Sequence, residues 1–122
     1  MPQILIIDDD AQVRSMLAET LRLEGYQVAE AVNGKEGVEL YRTDPSPLVI
    51  TDIIMPEQDG VEAIHALRRE FPQIKIIAIS GGSANIRGDY LLGTANALGA
   101  AKTFGKPVDI NELLAAVKDI LG

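Results

Sequence analysis

The sequence predicts an α/β domain, an open, doubly wound parallel sheet of five strands with five helices on both faces. Three observations carry that expectation. Short runs rich in Ile, Val or Leu alternate with helical patterns from end to end, without a repeat or a linker-like shift in composition. The runs are mostly apolar at consecutive positions, the mark of strands buried on both faces. The helical stretches between them have the length of right-handed crossovers, so the strands run parallel and ligands belong beyond their C-terminal edges.

Strands are predicted at about 3–8, 27–31, 47–52, 74–79 and 102–105, the second and fifth carrying the weakest apolar signal. The first helix shows Val13, Leu17 and Leu21 on one stripe, and the last shows Ile110, Leu113, Leu114, Val117, Ile120 and Leu121. Three helix starts pair an acid or amide with a Glu three residues later: Asn33 with Glu36, Asp59 with Glu62, and Asp109 with Glu112. Each is a capping-box variant that satisfies free amide groups of a first turn. The fourth helical segment, about 84–98, is interrupted by Gly88 and Gly93 and follows Gly81-Gly82. Interior glycine costs a helix about 1 kcal/mol against alanine, so this segment is expected to be the most mobile.

At 122 residues the chain suits one domain, expected over 1–122. Eighteen acidic against 11 basic residues give a formal charge of −7, which argues against direct nucleic-acid binding or an anionic membrane surface. There is no cysteine and a single histidine, His65, so thiolate chemistry and an imidazole metal cluster are excluded. No apolar run reaches the roughly 18 residues of a membrane span, and a cytoplasmic location is the expectation.

Chemistry-bearing residues stand at the ends of the predicted strands. Asp8 and Asp9 follow Ile4-Leu5-Ile6-Ile7, Asp52 ends Leu48-Val49-Ile50-Thr51, Ser80 follows Ile79, and Lys106 follows Thr103-Phe104-Gly105. Asp8-Asp9-Asp10 alone would serve as well as a helix cap. A further acid at the end of a second buried strand changes the reading. Carboxylates brought together repel one another unless a cation intervenes, and oxygen donors without His or Cys suit Mg²⁺.

Asp52 opens the stretch Asp52-Ile53-Ile54-Met55-Pro56-Glu57-Gln58-Asp59-Gly60. Together with Asp8-Asp9, Ser80 and Lys106-Pro107, it resembles the receiver domain of two-component response regulators over the whole chain. The resemblance implies a flavodoxin-like sheet of order 2-1-3-4-5. It implies Asp52 as the phosphoacceptor nucleophile, with Asp9 and Asp52 as direct Mg²⁺ ligands. Asp8 would act through a bound water, and the Ile54 carbonyl would complete the protein's set. Asp10 is left as a helix cap. Ser80 and Lys106 would contact phosphoryl oxygens, with a cis Lys106-Pro107 peptide aiming the lysine inward.

The implied donor is a histidine kinase or a histidine phosphotransfer protein, since His65 reads as a surface or boundary residue. The implied output is protein contact through the fourth helix, fifth strand and fifth helix, with dimerisation on phosphorylation left open. The domain would be no turnover enzyme, and it would stand alone or be a piece of a longer regulator.

The chain departs from the family at two places. Thr103 occupies the position usually held by Tyr or Phe, and the stretch from Ser80 to Gly99 is a few residues longer than usual. The switch is therefore expected to run through the 80–90 connection. Ile54 and Gly82, at positions that influence water attack on the acyl phosphate, cannot orient a water with their side chains, which predicts a persistent phosphoryl group.

Competing readings are a phosphorylation-independent docking module, an aspartate-based phosphatase of the haloacid-dehalogenase type and a flavodoxin-like cofactor module. The phosphatase has only Asp8-x-Asp10 in its favour and meets Gln12 where Thr or Val is usual. Acidic strand ends would repel a flavin phosphate.

Overall fold

A computed structural model describes residues 3–52, 60–80, 100–105 and 108–122, with Gly60, Val61 and Ser80 described by backbone alone. The strands are β1 (Ile4–Ile7), β2 (Val28–Ala31), β3 (Leu48–Asp52), β4 (Lys75–Ser80) and β5 (Lys102–Gly105). The helices are α1 (Ala11–Leu23), α2 (Gly34–Thr43), α3 (Gly60–Glu70) and α4 (Ile110–Leu121). All five strands are parallel, in the order β2-β1-β3-β4-β5. The fold is thus the expected flavodoxin-like one. The helical segment expected near 84–98, the Asp59 cap and the Lys106-Pro107 peptide lie outside the described residues.

Strand alternation sorts the core into two layers. Ile4, Ile6, Leu48, Ile50, Ile77 and Ile79 face α1 and α4, meeting Leu17, Ala18, Leu21, Leu113, Ala116 and Val117. Leu5, Ile7, Val49, Ile76 and Ala78 face α2 and α3, meeting Val38, Tyr41, Ala63, Ile64 and Leu67. Central β1 and β3 are buried at every position, in keeping with the apolar runs Ile4–Ile7 and Leu48–Ile50. Edge strands β2 and β5 are largely half-buried or exposed, so their sequences tolerate Glu30 and Lys102.

The caps follow the chemistry of their residues. The Asn33 side chain accepts from the Glu36 amide at 2.8 Å, while the Glu36 carboxylate accepts from the Val32 amide at 3.2 Å. Asp109 accepts from the Glu112 amide at 3.1 Å. At the C-terminus of α1, the Gly25 amide donates to Arg22 and the Tyr26 amide to Leu21, closing a Schellman turn. Gly25 has φ of 95°, a conformation that glycine adopts without the Cβ clash of other residues.

An aromatic pair and an ion pair add to the apolar packing between α2 and the segment around α3. The Tyr41 and Phe71 rings meet edge to face with centroids 4.8 Å apart. The Arg42 guanidinium grips the Glu70 carboxylate, Nε donating to Oε1 at 2.9 Å, and this hydrogen bond holds the Glu70 carboxyl below its ordinary range.

Helix α2 lies very close to β1 at Gly37. A Cβ there would stand 2.6 Å from Ile7 Cγ1 and closer still to Cδ1. Gly37→Ala gains about 1 kcal/mol of helix propensity. It also forces apart a packed helix and strand at a typical cost of about 1–3 kcal/mol. Because Cγ1 is not the free end of the Ile7 side chain, the clash wins. A net loss of up to about 2 kcal/mol is expected in urea unfolding, and a raised midpoint would contradict the close approach.

Candidate functional site

β1 and β3 are neighbours in register, with Ile7 opposite Thr51. Asp8 and Asp52 are the next residues, so both strands bring an acid to the same level of the sheet's C-terminal edge. One carboxylate oxygen from each of Asp8, Asp9 and Asp52 lies within 4.8 Å of the other two. Asp8 and Asp52 are buried, at 1% and 4% exposure, whereas Asp9 faces solvent. The site is therefore an acidic notch with two walled carboxylates and one open one.

Asp10 does not join this group. It is the N-cap of α1, accepting from the amides of Gln12 and Val13 at 3.0 and 3.3 Å. The Asp8 carboxylate accepts from the Asp10 amide at 2.9 Å, and the Asp8 amide donates to the Ala31 carbonyl at 3.1 Å. The acid loop is held from both sides.

Arg14 and Glu30 escape a sequence reading. Arg14 Nη1 donates to the Asp8 carbonyl at 2.7 Å, and its Nε stands 3.4 Å from Glu30 Oε1. Arg22 Nη2 reaches the other oxygen of Glu30 at 3.3 Å and donates to the Val28 carbonyl at 3.0 Å. The available signal is Glu30 itself, a lone charge inside the strand Val28-Ala29-Glu30-Ala31.

The remaining expected site residues are only partly in view. Ser80 ends β4, its backbone in register with Gly105 of β5, so both strands reach the edge that carries Asp52. Lys106 follows Gly105 and, like Ile54 and Gly82, lies outside the described residues. Asp52, Ile79 and Phe104 form one register row, and Phe104 packs with the α1–α4 layer. Thr103 sits opposite Ala78, on the α2–α3 side of the sheet. His65 is exposed on α3.

Chemically the notch suits a small hard cation. It offers three carboxylates and, among these donors, neither nitrogen nor sulfur. Two unit charges 4.8 Å apart repel by about 3 kcal/mol at an effective dielectric constant near 20, which a divalent ion would convert to attraction.

Residues 4–118 match the family described as the response regulator receiver domain. The chain is 33% identical over 121 residues to the transcriptional regulatory protein CpxR of Escherichia coli strain K12, covering 99% of this chain and 50% of that protein. It thus spans about half the length of that relative. It is 32% identical over 120 residues to sporulation initiation phosphotransferase F of Bacillus subtilis strain 168, covering 98% of this chain and 93% of the relative. Among solved structures, a CheY-like response regulator receiver domain protein from Methanospirillum hungatei superposes with a TM-score of 0.87 at 27% identity, over 99% of this chain and 94% of the other. With the sheet order and the acidic notch in agreement, the chain belongs to the response regulator receiver domain family.

Proposed function

We propose that residues 1–122 act as one Mg²⁺-dependent phosphoacceptor switch, phosphorylated on Asp52 by a histidine kinase or a histidine phosphotransfer protein. Receiver domains are phosphoacceptor switches, and that coarser role comes with the family. The observation that carries the finer reading is the convergence of Asp8, Asp9 and Asp52 within 4.8 Å at the edge of the two central strands.

A carboxylate oxygen of Asp52 attacks the phosphorus of a phosphohistidine. The O–P bond forms as the P–N bond breaks, and its electron pair returns to the imidazole of the donor. Asp8, Asp9, Asp52 and the Ile54 carbonyl are the residues assigned to Mg²⁺, which when bound supplies positive charge against the phosphoryl oxygens. Ser80 is assigned a hydroxyl donor's role toward the transferred group, and Lys106 that of a charge partner. Burial of Asp52 keeps bulk water from the side of the nucleophile that faces the sheet.

The product is a covalently altered protein that signals by contact, so one phosphoryl group per chain is expected and no sustained turnover of a separate substrate. The name of the Bacillus relative, a phosphotransferase, supports passage of the group to a further protein. No helix among the described residues is long and apolar enough to cross a membrane, and a cytoplasmic setting is part of the same proposal.

Intact mass after incubation with Mg²⁺ and a small acyl-phosphate donor tests the reading. A single phosphoryl adduct that disappears when the metal is chelated is the expected result. No adduct, together with no Mg²⁺ binding by calorimetry, would replace the switch with a phosphorylation-independent docking module.

A further inference from the structure

We infer that Arg14 is a positioning residue for the acidic notch, tethering the Asp8-Asp9 peptide to edge strand β2 through Glu30; this rests on the Mg²⁺ reading above. The geometry is specific. Arg14 lies in the first turns of α1, with only 15% of its side chain exposed, and Glu30 is 29% exposed. One guanidinium nitrogen donates to the Asp8 carbonyl at 2.7 Å, while another faces Glu30 across 3.4 Å. That carbonyl belongs to the peptide joining the two acids, so its rotation would swing Asp9, the exposed member of the set. Asp8 itself is already fixed by the Asp10 amide and by its own amide's bond to Ala31.

A guanidinium beside a cation site has two opposing effects. Its positive charge disfavours Mg²⁺, and its hydrogen bond preorders a ligand that would otherwise be fixed only on binding. Glu30 decides between them. It offsets the Arg14 charge while leaving the tether in place, and Arg22 Nη2, 3.3 Å from its second oxygen, holds it on β2. Loss of such an outer partner typically weakens metal binding about 10–100-fold.

The two effects predict opposite signs for Arg14→Met, which removes charge and donors together. The tether predicts Mg²⁺ binding weakened about tenfold in calorimetric titration. It also predicts faster amide exchange at Asp9 and Asp10 in the metal-free protein, with the α2 and α3 amides unchanged. Arg14→Lys keeps one donor of the fork and is expected to recover part of the affinity. Glu30→Gln, which leaves two guanidiniums uncompensated, is expected to weaken binding as well.

Unchanged or tighter Mg²⁺ binding by Arg14→Met would overturn the tether, as would unchanged exchange at Asp9 and Asp10. A wild-type protein that binds no Mg²⁺ would instead sink the metal reading. The exchange measurement would still decide whether Arg14 orders the loop.

Discussion

Asp52→Asn is expected to abolish phosphoryl incorporation while leaving a folded protein. The substitution replaces one carboxylate oxygen by an amide nitrogen of nearly the same size, so the β3 backbone, paired with β1 and β4, has no steric reason to move. What changes is chemistry. An amide cannot accept the phosphoryl group as a carboxylate does, and it removes one of the three charges gathered within 4.8 Å. Adduct should fall below detection by intact mass, and Mg²⁺ affinity should fall at least about tenfold, since an anionic oxygen ligand is lost. The thermal midpoint without metal should stay within a few degrees of the wild type. An adduct that persisted at full yield would move the acceptor away from Asp52.

Ile50→Ala attacks the same site from beneath. Ile50 precedes Asp52 by two positions and therefore shares its face of β3, fully buried between Ile6 of β1 and Ile77 of β4 in one register row. Truncating a buried isoleucine to alanine costs about 2–5 kcal/mol, because transfer free energy is lost and the surrounding row cannot fully collapse into the gap. For a domain of this size the midpoint should fall on the order of 10 °C. Below the transition the variant should still take up phosphate, because Asp8, Asp9 and Asp52 remain on their backbones. A shift under about 3 °C would mean that the row is less tightly packed than its complete burial implies.

The two central strands were the most legible part of the fold, and the reason is physical. β1 and β3 are covered on both faces, so their residues are apolar up to Ile7 and Ile50, and the acids near the edge stand out sharply. β2 and β5 lie at the sheet's margins, where half-exposure admits Glu30 and Lys102 and blurs the pattern. The division of Asp8, Asp9 and Asp10 into two site acids and one cap also follows from local chemistry. The residue immediately before a helix has its side chain committed to the first-turn amides.

Arg14 and Glu30 could not be paired from the sequence. They lie sixteen positions apart in the chain, and only the docking of α1 against the β1–β2 edge brings their side chains together. Ionic contacts of this kind have no periodicity to announce them. The backbones of Ser80 and Gly105 arrive at the expected edge, whereas Lys106 and Ile54 remain assigned by resemblance alone.

The sheet also separates two layers that are fastened by different contacts. Asp52 shares its face with the layer built by α1 and α4, to which Phe104 also belongs. The opposite layer is fastened to itself by Tyr41 against Phe71 and by Arg42 on Glu70. Asp52 therefore stands on the side of the sheet away from these two fastenings. Dyes or tethers fixed to exposed Glu39 or Arg69 would report on the fastened layer, while one on exposed Lys118 of α4 would report on the layer that shares the Asp52 face.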